Sequence, residues 1–346
     1  MPLIRPPALR PGDTVGLFAP SAPSHAKYPE MYAHGKDVLR RMGYRVREGA
    51  LTARGTHEGY RSGPPEARAE ELRELVRDPE VRAVIATVGG ANSASLLPWL
   101  DLDEIRAHPK ILCGYSDVTS LHLAWLAAGV SSFYGPVVMA HFAEWPDMLP
   151  ETRASFLAAV GWTGPGARRL EPPPRWSAHE RDWGGAEGPW KTEPRRFEPN
   201  PGWRALRPGH VRAPLLAAHA GTLLSNAGTA IFPALDGWIL LAEDLDAPMS
   251  RLERNWRQLE RMGVLDRIAG LIVGKPAAFR DEGAPFSMEQ LLLEVVGDRD
   301  LPIVTNFDSS HTQPMLTLAQ GREIELSAGP QGVEVVAHGP WVEATA

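Results

Sequence analysis

With 346 residues the chain is too long for one small core and comfortable for two domains. Its 43% hydrophobic and 23% charged residues fit a soluble globular protein, and its net charge of −6 argues against a dedicated nucleic-acid binder, which needs a basic face. A single cysteine, Cys113, excludes an intrachain disulfide and a cysteine-built metal site.

The opening stretch MPLIRPPALRPGDTVG is interrupted by prolines and arginines. It lacks a signal-peptide core, and no later stretch approaches a membrane span, so the reading is of a cytoplasmic protein with no membrane partner. Thr14–Ala19 reads as a short strand ending at Pro20-Ser21. A charged helical pattern follows around Met31–Met42 and stops at Gly43, and Pro65–Arg77 reads as a second helix. Val81–Val88 is a β-rich run that halts at Gly89-Gly90. Lys110–Tyr115 reads as the next strand and Asp117–Ala128 as the next helix, closed by Gly129. Strands alternating with helices predict a mostly parallel sheet covered on both faces.

Residues 163–208 break this rhythm. They are rich in Pro, Gly and Arg, yet hold Trp176, Trp183, Trp190 and Trp203. Disordered linkers are poor in aromatics, so an ordered functional loop is expected. Beyond it, Gly237–Ala242 reads as a buried strand ending on Glu243-Asp244. Met249–Met262 reads as an amphipathic helix, with Leu252, Trp256 and Leu259 at helical spacing. Ile268–Val273 and Ile303–Phe307 are further strands, and the tail, about 322–342, reads as short strands. The expected divisions are 1–162 as a first α/β domain, 163–208 as an insert and 209–346 as a second domain.

Ser116 lies in GYSD, between a strand and a helix. That junction is the C-terminal edge of a parallel sheet, where open α/β folds bind ligands. A tight turn there exposes the side chain and aims the first free helix N–H groups at whatever it holds. This is the logic of a nucleophile elbow, although the pattern is not G-x-S-x-G. Plain capping by Ser116 or Asp117 satisfies the local sequence equally well.

A serine nucleophile needs a base. Of the 11 histidines, His311 stands apart because it follows a strand and the polar corner NFDSS. Glu243 closes an apolar strand and is the candidate to orient an imidazole. Each also reads as an ordinary loop histidine or strand-end carboxylate. Gly89-Gly90 permits close backbone approach and can offer an oxyanion N–H, or can be a plain turn. Cys113, inside an apolar strand, reads as buried and structural. No H-E-x-x-H, P-loop or G-x-G-x-x-G pattern is present.

Taken in order, these pieces resemble the LD-carboxypeptidase family of serine peptidases, which includes the microcin C immunity peptidases. The matching segments run nearly end to end: PGDTVGLFAPSAP, TVGGANSASLLPWLD, ILCGYSDVTSLHLAWLAAG, FYGPVV, LLAED, QLERMGVLDRIAGLIVGKP and HTQPMLTLAQG. The resemblance implies a flavodoxin-like N-terminal parallel-sheet α/β domain and a smaller β-rich C-terminal α/β domain, with the active site in the cleft between them. It implies a homodimer, and neither metal nor organic cofactor. It implies Ser116 as nucleophile, His311 as general base and Glu243 as its orienting acid, with oxyanion N–H groups from Gly90 and Asp117.

Two branches of that family differ in substrate. The murein branch releases terminal D-Ala from cell-wall tetrapeptides. The immunity branch cuts the amide joining an acidic aminoacyl group to a sulfamoyl or phosphoramidate adenosine. GGANS and the Trp-rich insert look more like the second branch. Trp176 and Trp183 are then candidates to stack on a purine, or they simply pin the loop. Gly89, His219 and Lys275 complete the expected substrate contacts, although Lys275 also reads as an exposed strand end. His219 stands where relatives carry asparagine, Ser310 where glycine is usual and Ala319 where proline is common, which leaves the substrate open. The expected activity is hydrolysis of a small aminoacyl-nucleotide. Cleavage of a short murein peptide is the alternative within this chemistry, and a non-catalytic peptide- or nucleotide-binding protein is the alternative of another class. A generic α/β-hydrolase shares the order Ser, acid, His but not the second β domain.

Overall fold

The computed structural model describes residues 3–179, 181–184, 189–246 and 248–344. β1 (Thr14–Phe18), β2 (Arg45–Glu48), β3 (Val81–Ala86), β4 (Ile111–Gly114) and β5 (Phe133–Tyr134) form a parallel sheet in the order β5-β4-β3-β1-β2. β3 and β4 are buried almost residue for residue, as strands covered on both faces must be. The helices Pro29–Arg41, Pro65–Arg77 and Pro150–Val160 each open on a proline. Its fixed φ suits the first turn, and its missing N–H would have no partner there anyway.

The segment 163–208 is woven into the second sheet rather than set apart from it. It contributes β6 (Gly166–Leu170) and β9 (Arg204–Arg207) to that sheet, and between them β7 (Arg175–Trp176) and β8 (Glu198–Pro199) pair as a separate two-stranded ribbon. The chain continues through β10 (Gly209–His219), β11 (Ile239–Glu243), β12 (Gly270–Gly274), β13 (Ile303–Phe307), β14 (Leu318–Ala319), β15 (Glu323–Gly329) and β16 (Gly332–Gly339). The second sheet has the order β6-β16-β15-β10-β11-β12-β13-β9, with four parallel strands flanked by antiparallel ones. β6 and β9 are its two edges, and among the described residues it has eight strands, against six in the first sheet once β14 is included. β14 crosses over and pairs antiparallel with β5 of the first sheet.

The two sheets also share a core. Along β10 and β11, Leu215, Ala217, Ile239 and Leu241 enter the same buried cluster as Val15, Ile85 and Trp125. The alternate residues Leu216, Ala218, Leu240 and Ala242 pack with Leu252, Trp256 and Leu259 of the helix Met249–Arg261. That alternation is the period of two of a strand whose faces are both covered. The helix Met288–Val296 lies outside the elements read from the sequence, although Ser287 and Gln290 form a capping box at its start. Among the described residues no helix is long and apolar enough to cross a membrane.

Candidate active site

β4 ends at Gly114, and the chain turns sharply through Ser116 into a single 3₁₀ turn, Ser116–Val118, and the helix Thr119–Ala127. Ser116 has φ 62°, a left-handed conformation uncommon for any residue but glycine, asparagine or aspartate. The turn is braced from beneath. His122 donates from Nε2 to Gly114 O (2.9 Å), and its Nδ1 meets Ser132 Oγ at 2.8 Å. Burial pushes the His122 pKa down to about 4, so the ring acts as a neutral strut. Cys113, behind the turn, is fully buried, and burial raises its thiol well above the usual range.

The Gly89-Gly90 turn lies against this elbow. A Cβ added at Gly89 would stand 3.1 Å from Ser116 Oγ and 3.2 Å from Asp117 N. Gly90 has φ 147°, and a Cβ there would collide with Ser21 and Ala22. The Asp117 carboxylate locks the two turns together by accepting from Asn92 N–H and Ser93 N–H, both at 2.8 Å. Ser21 Oγ accepts from Ala91 N–H (2.9 Å) and again from Asn92 N–H (3.0 Å). Asp117 is therefore more than a helix-capping residue. Among the described residues neither Gly90 N–H nor Asp117 N–H has a protein acceptor. Gly90 lines the same cavity as Ser116, and Asp117 follows the serine directly in the chain.

Glu243 ends β11, and His311 follows β13 by four residues. His311 Nδ1 donates to Glu243 Oε2 at 2.6 Å, and the Tyr134 hydroxyl donates to Glu243 Oε1 at 2.5 Å. Burial alone would raise the Glu243 pKa. The His311 charge, hydrogen bonds from His311 and Tyr134, and the His219 charge outweigh it and hold the carboxyl below its usual value. Tyr134 Oη also accepts from Ser116 N–H at 3.2 Å. Ser116 and His311 line one cavity of about 340 Å³, whose wall includes Tyr115, Gly89 and Gly90. The Tyr115 ring lies 4.6 Å from that of His311.

The insert supplies the facing wall. A two-bond bridge joins Ser177 to Gln313, with N···O distances of 2.7 and 2.8 Å, and so ties the insert to the chain two residues past His311. Further along, Arg181 and Arg195 close on the Glu144 carboxylate at 2.6 and 2.7 Å, with all three side chains at least nine-tenths buried. Trp183 and Trp190 both face the cavity, and Trp190 packs edge-on against Trp145.

The five residues expected to touch substrate are not all brought to the cavity. Gly89 and Trp183 line the cavity. Trp176 does not: it sits in the small β7–β8 ribbon, its ring 5.8 Å from Lys275 Nζ. Lys275 is neither an exposed strand end nor a cavity-lining residue, because its ammonium is buried against Asp308 and donates to Asn306 O (2.7 Å). Asp308 accepts in turn from Trp203 Nε1 (2.8 Å) and Asn200 Nδ2 (3.1 Å), so this network staples the end of the insert to the second sheet. His219 caps the helix Ala220–Ser225, its Nδ1 accepting from Thr222 N–H at 3.1 Å, with its ring edge-on to His311 at 5.7 Å. Ser310 is buried opposite Gly274, where a Cβ would stand 2.9 Å from that of Ser310.

Tyr134, Glu144, Arg181, Arg195 and Gln313 were not singled out in the sequence. Of these, only Tyr134 and Gln313 fall in the segments that carry the family resemblance, FYGPVV and HTQPMLTLAQG. Among the described residues no group of three or more His, Cys, Asp or Glu is arranged to hold a metal ion.

Residues 15–135 match the N-terminal domain of LD-carboxypeptidases, and residues 212–326 match their C-terminal domain. The chain is 33% identical over 337 residues to the microcin C7 self-immunity protein MccF of Escherichia coli, covering 96% of each protein. It is 28% identical over 257 residues to the murein tetrapeptide carboxypeptidase of Pseudomonas aeruginosa, covering 73% of this chain and 74% of the relative. The structure of MccF in complex with aspartyl sulfamoyl adenosine superposes with a TM-score of 0.91 at 30% identity, covering 98% of this chain and all of that one. Both halves and nearly the full length agree: the chain belongs to the LD-carboxypeptidase family and is a serine hydrolase.

Proposed function

We propose that this protein hydrolyses the amide between an aminoacyl group and a sulfamoyl or phosphoramidate adenosine, with Ser116 as nucleophile, His311 as base and Glu243 as orienting acid. The observation that carries the assignment is the 2.6 Å bond from His311 Nδ1 to a buried Glu243, beside a serine held at φ 62° on the wall of the same cavity. With Nδ1 committed to Glu243, Nε2 is the nitrogen left to accept a proton. Ser116 Oγ attacks the carbonyl carbon, and His311 takes its proton. The oxyanion is stabilised by the N–H groups of Gly90 and Asp117. The C–N bond then breaks as His311 returns the proton to the leaving nitrogen, leaving an acyl-serine. Water attacks that ester, His311 takes its proton and then reprotonates Ser116. The products are the amino acid and the sulfamoyl or phosphoramidate nucleoside.

The leaving group is assigned to the side of the cavity walled by the insert. Trp183 and Trp190 offer aromatic faces there, and stacking on a base contributes ~1–3 kcal/mol in nucleic-acid complexes. MccF, similar over nearly its whole length, has been solved with aspartyl sulfamoyl adenosine and with glutamyl sulfamoyl guanosine. A murein peptide is the second reading, favoured by the relative that is a murein tetrapeptide carboxypeptidase. The homodimer implied by the family belongs to this proposal and is checked by light scattering.

The test is a mass-spectrometric assay of wild type and Ser116→Ala against a panel of aminoacyl sulfamoyl adenosines and a murein tetrapeptide. Cleavage of the adenosines alone is expected. Loss of the serine should lower kcat on the order of 10⁶-fold, the scale of serine-triad knockouts, without unfolding the chain. Turnover retained in Ser116→Ala would overturn the assignment. Release of D-Ala alone would move the substrate to the cell wall.

A further inference from the structure

Tyr134 ends β5, which lies between two strands that matter to the site. On one side it pairs with β4, where Gly114, two residues before Ser116, is its register partner. On the other it pairs with β14, where Leu318, seven residues after His311, is its partner. The phenol is fully buried, and its oxygen serves groups from two different domains. It donates to Glu243 Oε1 (2.5 Å) and accepts from Ser116 N–H (3.2 Å). These directions are forced. An ionised carboxylate can only accept, a backbone N–H can only donate, and a phenol has one proton to give. Burial first, then the Glu243 charge, raises the phenol well above its usual pKa, so that proton stays on at any working pH.

We propose that Tyr134 is a positioning residue that couples the acid to the nucleophile, holding Glu243 so that Oε2 meets His311 and fixing the backbone of Ser116 in its left-handed turn. The inference rests on the Ser116–His311–Glu243 reading above. Without the hydroxyl, the buried Oε1 and the Ser116 N–H lose their partners together. The carboxylate is then free to rotate away from His311 and the elbow to relax toward ordinary φ. Tyr134 is buried behind the cavity and is not among the residues that line it. It acts by tying a strand-end residue of the second sheet, 109 residues further along the chain, to a turn of the first.

The test is Tyr134→Phe in the full chain, read by the rate and stoichiometry of fluorophosphonate labelling at Ser116, followed by intact mass. Wild type is expected to take one label per chain and Ser116→Ala none. Tyr134→Phe is expected to reach the same stoichiometry at a rate lower by roughly 10–100-fold, the scale of losing one hydrogen bond to a buried charge. The acid limb of its labelling rate should move to higher pH, because Tyr134 is one of the groups that hold Glu243 low. A more acidic phenol, introduced as Tyr134→3-fluorotyrosine, keeps the fold and should move that limb to lower pH. Labelling of Tyr134→Phe at the wild-type rate would overturn the proposal, as would stoichiometry falling in proportion to rate, or a 3-fluorotyrosine profile identical to wild type. Failure of the wild type itself to label at Ser116 would instead overturn the reading beneath it.

Discussion

His219 and Glu243 are register partners on the adjacent parallel strands β10 and β11, so a second imidazole stands beside the carboxylate that receives His311. The two rings are edge-on at 5.7 Å, yet they do not compete for Glu243. Thr222 N–H occupies Nδ1 of His219, which leaves the proton on Nε2, facing Asp244 Oδ1 at 4.0 Å. Burial lowers the His219 pKa, and the Glu243 charge opposes it. The Glu243 carboxylate is therefore held by His311 and Tyr134, with Asp244 as a second, separate carboxyl.

Asp244 is where a pH effect on stability is expected. Burial, and then the Glu243 charge, push it up to about 8, against hydrogen bonding from Asn255 and the charge of Arg251. An unfolded aspartate titrates near 4, so the folded chain holds an extra proton between roughly pH 4 and pH 8. Its contribution to stability is full below that window and is lost as pH rises through 8. In Asp244→Asn the group stays neutral, and the Asn255 amide keeps an acceptor. The variant should melt close to wild type near pH 4 and above it by at least about 2 °C at pH 8, the scale of 1 kcal/mol for a large chain. Parallel melting curves against pH check this.

Gly89→Ala tests the space beside Ser116. The backbone at Gly89 lies outside the left-handed region, so alanine suits its conformation. Its methyl would stand 2.9 Å from Ser116 Cβ and 3.2 Å from Asp117 N, where the oxyanion is proposed to sit. We expect kcat to fall by roughly 10²–10³, the scale of losing one oxyanion donor. The stability loss should be limited to about 1–3 kcal/mol of overpacking. Steady-state kinetics beside chemical denaturation separates the two effects.

Glu144→Gln removes the charge on which Arg181 and Arg195 converge. Breaking a buried pair costs ~3–5 kcal/mol, and here the cost falls on the insert rather than on the sheets. The expected outcome is faster proteolysis within 177–195 and a KM raised about tenfold or more. Fluorophosphonate labelling of Ser116 should stay near wild type, because the small probe does not need the far wall. Equal proteolysis of the two proteins would show that the clamp does not hold the insert.

Lys275→Met separates packing from substrate contact. Lys275 is paired with Asp308 beneath the insert, where burial lowers the lysine pKa and raises that of the aspartate while their mutual attraction opposes both. Its loss leaves a buried carboxylate that keeps, among the described residues, Asn200 and Trp203 as side-chain donors. Stability should fall by ~3–5 kcal/mol, with KM unchanged in the protein that remains folded. A raised KM at unchanged stability would return Lys275 to the substrate.

The gap between sequence and structure has a physical pattern. The strands before Gly89, Ser116, Glu243 and His311 were legible because buried parallel strands are short apolar runs closed by polar or glycine turns. Tyr134 was not, because nothing in FYGPVV distinguishes a core tyrosine from one whose hydroxyl meets a carboxylate 109 residues away. The tryptophans of the insert show the same limit. Trp176 and Trp183 look alike in sequence, yet one covers Lys275 and the other faces the cavity, depending on which neighbour each strand and loop pairs with.

By itself, then, the sequence determined the alternation of strands and helices, the sharp turn at Ser116 and the positions of Glu243 and His311 near strand ends. Those features depend on local periodicity and on residues adjacent in the chain. Only the tertiary structure decided that β14 crosses to the first sheet, that the insert lends edges to the second, and that Tyr134, Glu144 and Lys275 are held in place by distant partners. Those are pairings between groups far apart in sequence, and the geometry that selects them exists only once the two sheets have closed on a common core.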